Sequence, residues 1–141
     1  MSHRSPISMR SVPAWLLLAA VVTSTPAMGD AERAQGERLF RSQCVGCHSL
    51  APGVHIAGPS LHGLIGRPAG SLEDFDYSPA LREAELTWTA ETLDAFLADP
   101  NDYLPGIRMV FWGLDERPRR RIIHFLESLE SESPDPEGAG G

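Results

Sequence analysis

Cys44 and Cys47 are the two cysteines of the chain, and His48 directly follows the second. A Cys-x-x-Cys pair can be a plain disulfide, a redox dithiol or half of a zinc site. Zinc would need two further ligands, and the other histidines, His3, His55, His62 and His124, are scattered. The thiol oxidoreductases need a different fold. Read as Cys44-Val45-Gly46-Cys47-His48, the stretch has the pattern of covalent haem attachment. In a helical turn two cysteines three positions apart share one face and can reach the two vinyl groups, while the adjacent imidazole aims at the iron.

The second axial position then decides the function. An open position binds gases or peroxide, whereas a second strong protein ligand leaves the iron fit for outer-sphere electron transfer. Of the four methionines, Met1, Met9 and Met28 lie in or beside an N-terminal signal, which leaves Met109 as the sulfur candidate. It follows Tyr103-Leu104-Pro105-Gly106-Ile107-Arg108, in which proline fixes the backbone and glycine permits the tight bend of a loop that presents a side chain inward. A lone methionine ordinarily fills a core. Both roles stay open on these residues alone.

The elements that must position these groups follow from periodicity and capping. Arg4 and Arg10 precede an apolar run from Ala14 to Val22, and small or turn-forming residues follow from Thr23 to Gly29. These are the parts of a secretory signal over 1–29, with cleavage expected after Ala27 or Gly29. The run is too short to span a bilayer, which takes about 20 apolar residues, although a retained anchor is the competing reading. Residues 30–43 read as a helix with Leu39 and Phe40 inward. Gly36 within it costs roughly 1 kcal/mol relative to Ala and marks a close approach by another element. Residues 50–76, with Pro52-Gly53 and Gly58-Pro59, read as loop. Ser78-Pro79 caps and opens a short helix through about Glu83. Thr89 caps another, with Glu91 in its first turn and Leu93, Phe96 and Leu97 on one face, until Pro100 ends it. After a loop over 101–113, Asp115 caps a last helix with Ile122, Phe125, Leu126 and Leu129 in one stripe. Residues 132–141 form an acidic Pro/Gly tail, disordered by composition. The domain is thus 30–131: all α, four or five helices with long loops. So little chain of that composition is marginal without added core, since small domains bury only about 60% of their surface. A large buried cofactor would supply it.

Removal of 1–29 leaves 10 arginines against 19 acidic residues, a net charge of −9, and the chain has no lysine. No basic stripe for nucleic acid exists.

From Gly36 to Leu126 the sequence resembles the class I cytochromes c, of the soluble mitochondrial and bacterial branch. Gly36 and Phe40 match the family's first helix, and Cys44–His48 its haem site. The stretch Gly58-Pro-Ser-Leu-His-Gly-Leu-Ile-Gly-Arg67, then Tyr77-Ser78, Thr87-Trp88, Pro105–Met109 and Phe111, continue the match in order. The resemblance implies a small cytochrome c fold wrapped around one haem c, attached through Cys44 and Cys47 and ligated by His48 and Met109. It implies that the Pro59 carbonyl accepts the His48 Nδ1 proton, that Arg67, Tyr77 and Trp88 surround the haem propionates, and that Phe40 and Phe125 meet where the first and last helices cross. His55 would tie two loops together, and His62 would lie on the surface without a ligand role.

Two departures stand out. Phe96 replaces a tyrosine and Ile107 a threonine on the methionine side, which leaves a drier pocket. Asn101 and Asp102 stand after Pro100, in a chain without the lysine ring of the basic members. The function expected is a periplasmic, monomeric one-electron carrier, not an enzyme, shuttling between respiratory or photosynthetic redox complexes. Its contacts would be transient, on partners with a neutral or basic docking face, with no nucleic acid and no membrane insertion after cleavage. The alternatives are a haem-bearing subunit of a larger oxidoreductase complex and a gas-binding or catalytic haem protein with a labile methionine.

Overall fold

The structure, a computed structural model, describes Met1 and residues 28–132. The expected signal lies outside these residues except for Met1, Met28 and Gly29, and so does the expected tail beyond Glu132. Five helices follow in order: α1 (Met28–Gln43), α2 (Pro79–Arg82), α3 (Ala90–Ala98), α4 (Pro100–Tyr103) and α5 (Glu116–Glu132). Among the described residues there is no strand, only an isolated bridge between Pro68 and Thr87. The all-α expectation holds.

The frame is the crossing of α1 with α5. Gly36 is the point of contact: a Cβ there would overlap the Arg121 carbonyl oxygen and lie 2.8 Å from Phe125 Cβ. The missing side chain lets the backbones touch and lets Phe40 and Phe125 meet, with ring centroids 5.5 Å apart. Phe40, Ile122, Phe125 and Leu126 are all buried, whereas Arg117, Arg120 and Glu127 lie on the exposed side of α5. Arg33 Nε, donating to Ser128 Oγ at 3.1 Å, fastens the helices at a second level.

The short helices begin where capping chemistry places them. Ser78 Oγ accepts the Leu81 N–H at the start of α2, with Pro79 at the first helical position. At α3, Thr89 and Thr92 form a reciprocal capping box. Arg119 docks α5 onto α3 with a two-pronged bond to Asp94, at 2.9 and 3.1 Å, and donates to the Leu114 carbonyl at 2.8 Å.

Among the described residues the helices number five, within the four or five expected, but one of them lies where a loop was expected. Pro100 ends α3, but it also opens α4, because Asp99 Oδ1 accepts the Asp102 N–H and a proline at the first helical position has no N–H to satisfy. The expected 101–113 loop therefore starts as a helical turn. At the C-terminal end α5 reaches Glu132, one residue into the expected tail.

Candidate functional site

α1 ends at Gln43, yet the chain keeps turning. Cys44 N–H bonds the Phe40 carbonyl at 2.8 Å, and the N–H groups of Cys47 and His48 both reach the Cys44 carbonyl, at 3.0 and 2.9 Å. This extra turn puts both cysteines and His48 on the wall of a cavity of about 380 Å³, within the size range of small-molecule sites.

His48 is the most constrained of the three. Its Nδ1 lies 2.8 Å from the Pro59 carbonyl oxygen, and since a carbonyl can only accept, Nδ1 carries the proton and Nε2 keeps its lone pair. Burial lowers the imidazole's pKa against the smaller opposing pull of that bond, so the ring is held neutral, as a metal ligand must be. Gly58 makes room for it. A Cβ there would stand 2.7 and 2.9 Å from the ring nitrogens. The loop is in turn pinned to the motif by the Gly58 N–H, which bonds the Cys47 carbonyl at 2.7 Å.

The cysteines are not bonded to each other. Burial, and then the neighbouring Cys47, push the Cys44 thiol up to about 11. A redox dithiol needs the opposite, a thiol poised to ionise; a zinc site would need further ligands, and among the described residues no cluster of His, Cys, Asp and Glu could hold a metal ion.

The other walls come from distant segments. Phe40, Leu64, Trp88, Phe96, Leu97 and Leu126 give apolar surface, while Arg67, Tyr77 and Arg108 bring polar groups. Trp88 is set by paired bonds across the 66–69 and 86–88 segments: Gly66 N–H to the Trp88 carbonyl at 2.7 Å, and Trp88 N–H to the Arg67 carbonyl at 2.9 Å. Arg67 donates to the carbonyls of His62 and Ser60, at 2.9 and 3.0 Å. Burial pulls its pKa down while Tyr77 pushes it up; burial raises the pKa of Tyr77, which Arg67 opposes. Met109 and Phe111 line the same cavity.

All eight residues singled out from the sequence, Cys44, Cys47, His48, Pro59, Arg67, Tyr77, Trp88 and Met109, thus converge on one cavity. The residues fit a covalently held haem: two thiols and an imidazole with a free Nε2 on one wall, a thioether on the same cavity, and apolar surface for a flat aromatic ring. His55 does link two loops. Its Nδ1 accepts the Ser60 N–H at 2.9 Å, and its Nε2 lies 3.1 Å from Asp74 Oδ2. His62 is exposed.

Two supports were not legible beforehand. Gly58 could have been suspected, because it precedes the proline whose carbonyl holds His48. The clasp at Asp76 left no local signal: Arg108 reaches its carboxylate at 3.1 Å and also the Tyr77 carbonyl, and Arg82 reaches the same carboxylate. These bonds fasten the segment carrying Met109 to the loop before α2.

The relatives and the solved structure that match this chain are all cytochromes c. No protein-family model matches the chain. Cytochrome c type-1 of Ascaris suum is 37% identical over 103 residues, 72% of this chain and 92% of its own. Cytochrome c of Stellaria longipes is 41% identical, across 70% of this chain and 92% of its own. Cytochrome c2 of Blastochloris viridis is 36% identical over 126 residues, 88% of this chain and 97% of its own. Among solved structures, cytochrome cH from Methylobacterium extorquens superposes with a TM-score of 0.63 at 36% identity, covering 68% of this chain and 97% of its own.

Proposed function

Because the chain belongs to the class I cytochrome c family, a family of monohaem electron-transfer proteins rather than enzymes, we propose that it is a periplasmic one-electron carrier whose haem iron is held by His48 and Met109. Haem c, attached covalently through Cys44 and Cys47, supplies the one-electron couple when bound. Every other part of the task falls to the chain. The observation that carries this reading is the fixed imidazole: Nδ1 donates to the Pro59 carbonyl at 2.8 Å, which sets the ring's tautomer and direction and raises the donor strength of Nε2. Met109 lines the cavity that His48 lines, and a thioether favours the reduced metal.

Arg67, Tyr77 and Trp88 are the groups for the propionates, since carboxylates taken out of water need donors or a cation. Phe40, Phe96 and Leu126 keep water from the buried face. A rigid, dry pocket suits a carrier, because little must rearrange when the charge changes by one.

The periplasmic location rests on the expected secretory signal at 1–29, whose last two residues, Met28 and Gly29, begin α1, and on the likeness to cytochromes c2 and cH. No helix among the described residues is long and apolar enough to cross a membrane. With 10 arginines, 19 acidic residues and no lysine after position 29, the carrier meets its partners as a monomer, through small transient contacts on neutral or basic faces.

The test is optical spectroscopy of the haem-loaded protein, oxidised and reduced, with and without carbon monoxide. The expected result is a low-spin reduced form indifferent to carbon monoxide, with Met109→Ala opening the iron to it. Ready binding by the unaltered protein would overturn the Met109 assignment and favour a gas-binding or catalytic role.

A further inference from the structure

The segment after Met109 has no regular hydrogen-bonded structure, and its residues alternate. Met109 and Phe111 are half-buried against the cavity, while Val110, which also borders it, and Trp112 are 89% and 91% exposed. An extended chain sends successive side chains to opposite sides, so two inward residues force their neighbours into solvent. Nothing requires those neighbours to be apolar. A tryptophan left almost wholly in water contributes nothing to this fold.

The patch is held in place. Gly113, at φ +89°, packs so tightly on the end of α3 that a Cβ would overlap the Ala98 carbonyl oxygen and reach 3.4 Å from the Asp99 nitrogen. Asn101 Nδ2 donates to the Phe111 carbonyl at 3.3 Å. Trp112 is therefore presented beside the start of α4, where Asp99 and Asp102 are exposed and take part in no ion pair among the described residues. The cation Arg108 is turned to another group: it pairs with Asp76 at 3.1 Å, a carboxylate it shares with Arg82. The patch is thus an aromatic anchor with uncompensated negative charge at its edge, one residue from a segment that lines the cavity.

We propose that Trp112, with Val110, is the anchor of the docking surface for a redox protein that presents an apolar centre within a basic rim, and that Asp99 and Asp102 set its orientation. The inference rests on the electron-carrier reading. Tryptophan is the residue type most enriched among those that dominate interface energies, and such anchors sit inside rings of weaker contacts. Acidic groups at the edge speed encounter with a basic face and disfavour an acidic one. With haem c bound, the encounter would let one electron pass from the reduced protein to an oxidised partner, with no bond made or broken.

The experiment uses the full haem-loaded protein, with a lysine-ringed mitochondrial cytochrome c as probe. Binding is read from NMR shift changes over a range of ionic strength. Electron exchange is read separately with a small cationic cobalt complex, which needs no docking patch. Trp112→Ala is expected to weaken probe binding by about tenfold or more, as loss of an anchor does. Trp112→Phe should restore most of it, and Asp99→Asn with Asp102→Asn should flatten the salt dependence. At high ionic strength, where charge steering is screened, exchange with the cobalt complex should stay unchanged in all of them. Undiminished binding by Trp112→Ala overturns the proposal. So does equal loss of exchange with the cobalt complex, which would mean that Trp112 acts on the haem itself. Trp112-dependent self-association or binding to vesicles of neutral or anionic lipid would likewise overturn it, by identifying a different occupant. Failure of the unaltered protein to exchange electrons with the cobalt complex would instead refute the carrier reading.

Discussion

Gly36 offers the sharpest test of how the frame is built, because two large effects oppose each other there. Ala is favoured over Gly in a helix interior by about 1 kcal/mol, so an α1 without neighbours would be strengthened by Gly36→Ala. In the protein the new Cβ would overlap the Arg121 carbonyl oxygen and stand 2.8 Å from both the Arg121 carbonyl carbon and Phe125 Cβ. These atoms belong to the α5 backbone or sit directly on it, so no rotamer change relieves the contact. Restoring the roughly 3.5–4.0 Å of ordinary carbon contact requires the helices to separate by about 1 Å, and a gap of that size forfeits a quarter to a half of each dispersion contact. The losers are Phe40, Ile122 and Phe125, buried to 1%, 1% and 3% exposure. Overpacking of this kind costs ~1–3 kcal/mol, and the rigid backbone contact puts Gly36 at the upper end. Set against the gain in helix propensity, the net loss is about 1–2 kcal/mol. For a domain of this size that lowers the melting temperature by roughly 5–15 °C. Thermal unfolding of the haem-loaded protein, followed by far-UV circular dichroism and by haem absorbance, measures it, with Gly36→Val falling further. An Ala variant that melts at or above the parent temperature would refute the close-contact account of α1 and α5.

Gly58→Ala should displace the His48 ring, because the added Cβ would lie under 3 Å from its nitrogens; the readout is a shift toward high-spin absorbance and carbon monoxide binding, and an unchanged low-spin spectrum would contradict it. Phe96 is buried, edge-on to Trp88 with centroids 5.0 Å apart, so Phe96→Tyr should bring a hydroxyl into the dry pocket and change both the redox potential and the alkaline loss of the Met109 ligand. If neither moves, the pocket's dryness does not tune the methionine bond. Asp76 is held below the ordinary carboxylate range, first by its hydrogen bond from Arg108 and then by that residue's charge. Because the folded value is the depressed one, its stabilisation is complete above about pH 4, the unfolded range, and is lost as pH falls through the folded value. Asp76→Asn should therefore melt earlier at neutral pH and show a shallower decline below pH ~4, as read from melting temperature against pH; parallel curves would rule the clasp out.

The sequence alone determined whatever depends on neighbours in the chain. Two cysteines three apart with an adjoining histidine can share one helical face under any tertiary arrangement, and the structure continues that turn beyond α1. Ser78-Pro79 and Thr89 start helices because caps satisfy N–H groups within three residues. Gly36 announced a close approach, though not the atoms that make it. The α4 turn was missed because Pro100 was read as a terminator of α3, while its role as the first residue of the next turn depends on the Asp99 side chain bending back to Asp102. The tertiary structure decided what depends on segments far apart in sequence. It brought Pro59 to His48, Asp76 to Arg108, and the 66–69 segment to Trp88, since loops without periodicity carry no record of their partners. It also decided that Trp112 faces water. Composition would bury a tryptophan, but the chain alternates there, and Met109 and Phe111 had already taken the inward side.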